Sequence, residues 1–226
     1  GWVAEHYPDL VREIYKRGHE IGCHSYKHRL IYNLTLNEFK EDTRRAKRVI
    51  EDTIGDAVIG YRAPSYSITD KSLWALDVLI EDGFIYDSSI FPIRHDRYGI
   101  GKFDRFPVKV ERGGVKSILE IPLSTARFYG RNFPIAGGGY LRLFPIRLIE
   151  AGIKRLNTEE GQPAIIYFHP WEIDPAQPKL NGSRLSVFRH YVNMNQTIGK
   201  IEKLLGTFRF EPIKTVFKTQ IEDIQQ

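Results

Sequence analysis

Cysteine is nearly absent from this sequence of 226 residues, in which Cys23 is the only one. A lone cysteine excludes an internal disulfide bond and every zinc motif built on several cysteines, and its apolar surroundings predict a small buried core residue. Long hydrophobic runs are missing as well, since no stretch approaches the roughly 18 consecutive apolar residues of a membrane span. No signal peptide is visible, and because the chain begins with Gly1 rather than Met, this end predicts no localisation.

Charge of one sign is not concentrated anywhere in the chain. The formal net charge of +5 comes from 33 Lys and Arg scattered among 28 Asp and Glu. Without a basic run, this balance predicts a solvated surface and no nucleic-acid partner, with an anionic glycan as a secondary partner. The run Gly137-Gly138-Gly139-Tyr140 lacks the spacing of a phosphate loop, which excludes nucleotide binding there. We favour a turn that presents Tyr140 over a sugar-contacting loop.

With 42% hydrophobic and 12% aromatic residues, the chain can bury a proper core, and we expect one domain over residues 1–226. Helical and extended patterns alternate along it. Helices are predicted at about residues 8–18, 35–53, 69–83, 145–156, 185–193 and 196–205. Strands are predicted at residues 19–23, 58–61, 84–86, 164–168 and 208–213, and residues 221–226 are expected to fray.

The middle and the end of the chain depart from this alternation. Residues 88–105 predict an irregular loop, and residues 107–110 and 118–121 predict a β-hairpin that turns at Arg112-Gly113-Gly114. We interpret residues 88–143 as a hairpin and loop insertion. We expect residues from about 180 to 226 to form a helical extension.

Two histidines, His24 and His28, follow the first predicted strand. Neutral imidazoles are good ligands for zinc and similar metals, and this spacing allows both to reach one ion. Two unrelated loop histidines are an equally good interpretation of this short pattern on its own.

Three further motifs follow predicted strands in the same way. They are Arg62-Ala63-Pro64-Ser65-Tyr66, Asp87-Ser88-Ser89 and Tyr167-Phe168-His169-Pro170-Trp171-Glu172. Parallel α/β barrels carry catalytic residues on the loops after their strands. The placement therefore favours a catalytic interpretation of these loops.

This ordered set of four motifs resembles the polysaccharide deacetylases, the metal-dependent carbohydrate esterases of family 4. It is most similar to the branch found with bacterial exopolysaccharide and cell-wall loci, and it spans almost all of the chain. The resemblance implies an α/β fold, a distorted (β/α)7-type barrel without its first strand. It also implies a hydrolase that removes N-acetyl groups from a polysaccharide with the help of a divalent metal, zinc being the expected one.

The resemblance assigns a role to each motif. His24 and His28 would bind the metal, and His169 would be the general acid for the departing sugar amine. A histidine satisfied by a backbone partner is the alternative for His169. Arg62 and Asp87 would form a buried ion pair in which Arg62 orients the catalytic base, although a purely structural pair would look the same in a sequence.

Two roles concern the substrate. Pro64 stiffens its loop, so that a backbone N–H near Ser65 would face the oxyanion. Tyr66 and Trp171 would line a sugar groove, and core packing is an equally good interpretation of both.

One motif of the family has no counterpart in these residues. The family's third ligand and its base are aspartates on the first strand, ahead of the helix that begins at Pro8, and no such motif precedes Pro8 here. We favour a fragment whose first strand lies upstream over a protein that has lost activity. A ligand set of His24, His28 and Asp87 is a further alternative.

A glycan-binding module and a hydrolase of small cyclic amides are the competing functions. The sugar, the linkage and the oligomeric state are not predicted.

Overall fold

The computed structural model describes residues 1–112, 116–179 and 181–225. It contains two compact units, which are described separately. The first comprises Gly1–Pro122 with Glu211–Gln226, and the second comprises Leu123–Phe210.

Helices of the first unit surround a small sheet. They are α1 (Trp2–His6), α2 (Pro8–Lys16), α3 (Leu36–Ile54), α4 (Trp74–Glu81), and, near the C-terminus, α9 (Ile213–Val216) and α10 (Lys218–Gln225). The limits of α3 follow from its sequence. Thr35 and Glu38 form a capping box at its start, and Gly55 ends it in the left-handed conformation with φ 71°.

The sheet of the first unit has the order β1-β2-β4-β3. Its strands are β1 (Gly60–Tyr61), β2 (Tyr86–Asp87), β3 (Val108–Arg112) and β4 (Lys116–Glu120). The pairs β1–β2 and β2–β4 are parallel, whereas β3 and β4 form an antiparallel hairpin. The predicted turn of this hairpin at Gly113-Gly114 lies outside the described residues.

One row of paired residues crosses the sheet. Cys23 pairs with Tyr61 through an isolated parallel bridge, Tyr61 pairs with Asp87, and Asp87 pairs with Glu120. We call Cys23, Tyr61, Asp87 and Glu120 the sheet row. All four are almost completely buried. Because His24, Arg62 and Ser88 each come one residue after this row, the predicted site loops leave the sheet at the same level.

The core of the first unit packs α3 and α4 against this sheet. Phe39 of α3 contacts the rings of Tyr61 and Trp74 edge-on, at centroid distances of 6.0 and 5.6 Å. Burial of these rings, with that of Phe84 beside Tyr61, supplies the apolar contacts that fix the sheet row in place.

The second unit combines a hairpin with four helices. The strands are β5 (Thr125–Phe128) and β6 (Arg131–Pro134), and the helices are α5 (Gly139–Leu143), α6 (Ile146–Thr158), α7 (Arg184–Tyr191) and α8 (Thr197–Thr207). An isolated bridge joins Gly137 to Tyr167. A Cβ atom on Gly137 would lie 1.8 Å from the Tyr167 carbonyl oxygen, so this close approach requires glycine.

The mixed α/β class is confirmed, and most predicted helices and the β3–β4 hairpin are present. The strands within the described ranges form a four-stranded and a two-stranded sheet without closing into a ring. Residues 19–23 and 164–168 were predicted as strands but contribute one bridge each, at Cys23 and Tyr167. The predicted strand at 208–213 is wrong, and the expected frayed end is wrong because α10 buries Ile221.

The single domain with its insertion and extension stays a prediction. No helix among the described residues is long and apolar enough to cross a membrane.

Candidate functional site

The loop that carries His24 and His28 is held in place by Asp42 of α3. Asp42 Oδ2 accepts hydrogen bonds from Ser25 Oγ at 2.6 Å and from the Tyr26 N–H at 2.7 Å. Its other oxygen accepts one from the Lys27 N–H at 3.0 Å. Ser25 Oγ in turn accepts a bond from the His28 N–H at 3.0 Å. One carboxylate thus organises the whole turn between the histidines.

This turn contains two residues in the left-handed backbone region, Ser25 with φ 67° and His28 with φ 54°. Such conformations cost on the order of 1–3 kcal/mol each for residues other than glycine, and they persist where the surroundings over-determine them. The hydrogen bonds to Asp42 supply that constraint, and they fix where the His28 side chain leaves the backbone.

The rings of His24 and His28 lie close together, with centroids 5.0 Å apart and planes inclined at 71°. His24 Nδ1 lies 2.6 Å from the carbonyl oxygen of Arg62. A carbonyl only accepts, so Nδ1 carries the hydrogen, and the lone pair of the neutral ring is on Nε2. This is the arrangement in which metal-binding histidines are commonly oriented.

The histidines fit part of a metal site. Structural and catalytic zinc sites have three or four protein ligands. Among the residues that the structure describes, no group of three or more His, Cys, Asp or Glu side chains could hold a metal ion. The alternative ligand set of His24, His28 and Asp87 is therefore not formed.

A cavity of about 630 Å³ within the first unit borders both histidines. Much of its remaining wall is apolar, formed by Trp2, Val3, Ala4, Val11, Ile21 and Ile50. A volume of this size lies in the range of small-molecule sites.

Arg62 and Asp87 do not form the predicted ion pair, and this expectation is wrong. Arg62 donates instead to Ser88, from Nε to the carbonyl oxygen and from Nη2 to Oγ, both at 2.9 Å. Asp87 Oδ1 accepts from Ser89 Oγ at 2.5 Å, and Ser89 Oγ accepts from the Ala63 N–H at 2.7 Å. Asp87 therefore acts on the Arg62 loop through Ser89.

Asp87 forms a buried carboxyl pair with Glu120, its partner in the sheet row. Glu120 Oε1 accepts from the backbone N–H groups of Ser89 and Ile90 at 3.2 and 2.9 Å. Asp87 Oδ2 and Glu120 Oε2 are buried without a donor from another residue. Burial raises the pKa of Asp87, and burial together with the neighbouring Asp87 raises the pKa of Glu120 well above its usual range. The raised pKa values favour a protonated carboxyl group in this pair, and a proton shared between the two side chains would satisfy both oxygens.

Ser65 and Tyr66 lie in a tight turn, Pro64–Tyr66, and both have φ near the left-handed region at 52° and 54°. The N–H groups of Tyr66 and Ser67 donate to the carbonyls of Ala63 and Pro64. An oxyanion contact through the Ser65 N–H stays a prediction. Tyr66 is 7% exposed and meets the ring of Phe91 edge-on, which agrees with the core-packing interpretation of this tyrosine.

In the second unit, His169 has a carboxylate partner on its own turn. Its Nδ1 lies 2.6 Å from Glu172 Oε1, which also accepts from the His169 backbone N–H at 3.0 Å. Burial raises the pKa of Glu172, but the hydrogen bonds from His169 and the charge of Arg142 outweigh it, so the pKa is lowered overall. Glu172 is therefore ionised at neutral pH, and His169 Nδ1 is the donor.

Arg142 of α5 completes this cluster. Its Nε donates to Glu172 Oε2 at 2.8 Å, and the two side chains are 4% and 0% exposed. Its Nη1 donates to the backbone carbonyls of Arg189 and His190 at 3.0 and 2.6 Å. Both charged groups of this buried pair therefore have hydrogen-bond partners, which offset part of the cost of burying them.

Trp171 stacks between two histidines. Its ring lies 5.4 Å from that of His169 and 4.2 Å from that of His190, both nearly parallel. The guanidinium of Arg142 lies 5.1 Å from the Trp171 ring centroid. Trp171 is half-buried, and its predicted contact with sugar stays a prediction.

Four residues of these clusters were missed by the sequence analysis, namely Asp42, Glu120, Arg142 and Glu172. Glu172 had a local signal, since it lies three residues after His169 and can cap the turn that begins there. The other three lie far in sequence from the side chains that they contact, and single carboxylates or arginines in helices and strands carry no such signal.

Two family models match this chain. Residues 1–79 match the polysaccharide deacetylase model, and residues 88–218 match a model described as a domain of unknown function, DUF3473. A peptidoglycan deacetylase of Helicobacter pylori is 28% identical over 90 residues, which cover 40% of this chain and 30% of that protein. The match therefore spans less than a third of the curated relative.

Two solved structures show the same fold. A Mycobacterium smegmatis protein described as a polysaccharide deacetylase is 20% identical, with a TM-score of 0.54 over 93% of this chain and 71% of the other. An allantoinase is 15% identical, with a TM-score of 0.51 over 92% of this chain and 66% of the other. The model that matches more than half of the chain shows that the chain belongs to the DUF3473 family, and the segment ahead of that region matches the polysaccharide deacetylase model.

Proposed function

We propose that this chain forms part of a metal-dependent hydrolase that removes N-acetyl groups from a polysaccharide, either an exopolysaccharide or peptidoglycan. The observation that carries the proposal is the pair of imidazoles at 5.0 Å on a turn constrained by Asp42, in a segment that matches the polysaccharide deacetylase model. The name of the Helicobacter pylori relative supports a peptidoglycan substrate for the class.

Amide hydrolysis needs a nucleophilic water, a polarised carbonyl and an acid for the departing amine. A zinc-type ion bound at His24 and His28 would lower the pKa of the water and polarise the acetyl group. Arg62, through its carbonyl bond to His24 Nδ1, keeps His24 Nε2 directed away from the backbone as the ligand atom. No described side chain completes the set, so the proposal assigns these two ligand positions and no third one.

His169 is the general acid of the proposal. With Nδ1 bound to Glu172, proton donation falls to Nε2. The side chain of His169 is 45% exposed, so solvent or substrate can reach it. Trp171, stacked beside His169, presents an aromatic surface next to the proton donor, which supports its role in sugar contact.

Acetate release from N-acetylglucosamine oligomers by the full-length gene product tests the proposal. We expect release that a chelator suppresses, that zinc restores, and that His24→Ala and His169→Ala each reduce by at least about 100-fold. His19→Ala is the matched control, because His19 is an exposed histidine of the same unit as His24.

Two outcomes would replace the proposal. Glycan binding without acetate release would identify a binding module. Turnover of small cyclic amides by metal-stripped protein would identify a C–N hydrolase of another substrate class.

A further inference from the structure

We propose that Glu172, anchored by Arg142, is the residue that positions His169 for proton donation. This inference rests on the proposed function, because it concerns the general acid of that reaction. Neither residue touches the reacting atoms in this scheme, so both are positioning residues. A single oxygen, Oε1 of Glu172, accepts hydrogen bonds from both the ring Nδ1 and the backbone N–H of His169. The imidazole is thereby fixed relative to its own backbone.

The contact with Glu172 also determines which ring nitrogen of His169 carries the hydrogen. Glu172 is completely buried and ionised, as its lowered pKa indicates, so it accepts and does not donate. His169 in its neutral state is consequently the Nδ1–H tautomer, with the lone pair on Nε2. A proton that the ring gains or gives to a leaving group then passes through Nε2.

Arg142 determines where the carboxylate lies. It joins Glu172 Oε2 to the carbonyl oxygens of Arg189 and His190 near the end of α7. Three elements, α5, α7 and the Pro170–Ile173 turn, therefore converge on one buried carboxylate. Rotation of Glu172 away from His169 would leave a buried guanidinium without its counter-ion, which is costly.

Within the described part of the second unit, two aromatic rings lie against the imidazole of His169. Tyr167 meets the His169 ring edge-on at 5.9 Å, and Trp171 stacks on it at 5.4 Å. Behind Trp171 lie His190 of α7, at 4.2 Å, and Arg142 of α5. Burial and the charge of Arg142 lower the pKa of His190, so it is largely neutral above about pH 6.5. The carboxylate of Glu172 is the ionised group in direct contact with the His169 ring.

The substitution Glu172→Gln tests this arrangement because it keeps the shape and removes one acceptor. Arg142 has only donors, so it will hold the amide oxygen, and the amide NH2 will face His169. The ring must then accept at Nδ1 and carry its hydrogen on Nε2. We expect the ¹⁵N spectrum of the His169 ring to show the Nδ1–H tautomer in the unmodified protein and the Nε2–H tautomer in Glu172→Gln.

Kinetics provide the second readout. We expect Glu172→Gln to lower kcat roughly 10–100-fold with KM little changed, since the partner of a functional histidine acts on its orientation and not on substrate binding. Glu172→Asp, which keeps the charge but shortens the reach, should recover part of the loss. Glu159→Gln is the matched control, because Glu159 is an exposed carboxylate of the same unit whose ion-pair partner is Arg155.

The tautomer is measured without substrate, so the two proposals can fail separately. An inactive unmodified protein with the Nδ1–H tautomer overturns the proposed function and supports the Glu172 contact. The Nε2–H tautomer in the unmodified protein overturns the inference even if Glu172→Gln does not fold. A Glu172→Gln variant whose kcat equals that of the unmodified protein overturns the role of Glu172 in positioning His169.

Discussion

Asp42 accepts a 2.6 Å hydrogen bond from Ser25 Oγ, and through it a helix constrains the loop that carries both candidate metal ligands. The residue that determines the loop's shape thus comes from α3 and not from the loop. The carboxylate of Asp42 also accepts hydrogen bonds from the N–H groups of Tyr26 and Lys27.

Replacement of Asp42 by Asn should weaken zinc binding by roughly 10-fold or more, because a neutral amide cannot accept all three bonds and the His28 backbone loses its constraint. Calorimetric titration of the full-length gene product with zinc alone measures this. Asp52→Asn, an exposed change on the same helix, should leave the affinity unchanged. Equal zinc affinity in the Asp42 and Asp52 variants would contradict the role of Asp42.

The carboxyl pair of Asp87 and Glu120 predicts a pH-dependent stability. Both pKa values are raised by burial, so the folded state holds more protons than the unfolded state above about pH 4, and the free energy of unfolding falls as the pH rises from there. Glu120→Gln is neutral at every pH and should lose less stability between about pH 5 and about pH 8. Urea unfolding at both pH values measures the difference. An unaltered pH dependence in Glu120→Gln, equal to that of the exposed control Glu111→Gln, would exclude the shared proton.

Ser89 links Asp87 to the Arg62 loop, and we expect Ser89→Ala to lower the free energy of unfolding by about 1–3 kcal/mol. The substitution leaves the buried Ala63 N–H without its acceptor and Asp87 Oδ1 without its donor. Denaturant unfolding gives the value. Ser117→Ala, on the partly exposed part of β4, should change stability by no more than about 0.5 kcal/mol. A loss at Ser89 as small as that at Ser117 would show that the link contributes little.

Gly137 should tolerate no side chain. Its φ of 127° and the 1.8 Å approach to the Tyr167 carbonyl combine strain with a clash against backbone, so Gly137→Ala should cost more than about 2 kcal/mol. Gly199→Ala in α8 meets nothing within 4 Å and should instead stabilise by about 0.5–1 kcal/mol. Thermal unfolding of both variants compares them, and similar melting temperatures would refute the expectation.

Local signals predicted local structure well. The helix predicted at about residues 35–53 agrees with α3, whose start is set by the Thr35–Glu38 capping box, because the groups that satisfy a helix end are near in sequence. The lengths of two strands were overestimated, because the groups that pair with a strand are distant in sequence. Residues 164–168 are apolar enough for a strand, but strand pairing depends on a distant partner, and Gly137 pairs with Tyr167 alone.

The candidate site shows the same division. His24, His28 and His169 were found because their residue type and spacing suggest chemistry. Arg62 was assigned to Asp87, whereas the structure pairs it with Ser88, one residue further along the same loop. Which residue of a loop contacts a given partner depends on how the folded chain is aligned. The sequence alone therefore does not distinguish Asp87 from Ser88 as the partner of Arg62.

The alignment of Cys23, Tyr61, Asp87 and Glu120 across the sheet has a practical consequence for engineering. One residue inserted directly after Cys23 or Tyr61 would displace the His24 imidazole or the Arg62 guanidinium by one residue along its loop. Variants in this part of the chain should therefore keep each of these residues directly joined to the loop that follows it.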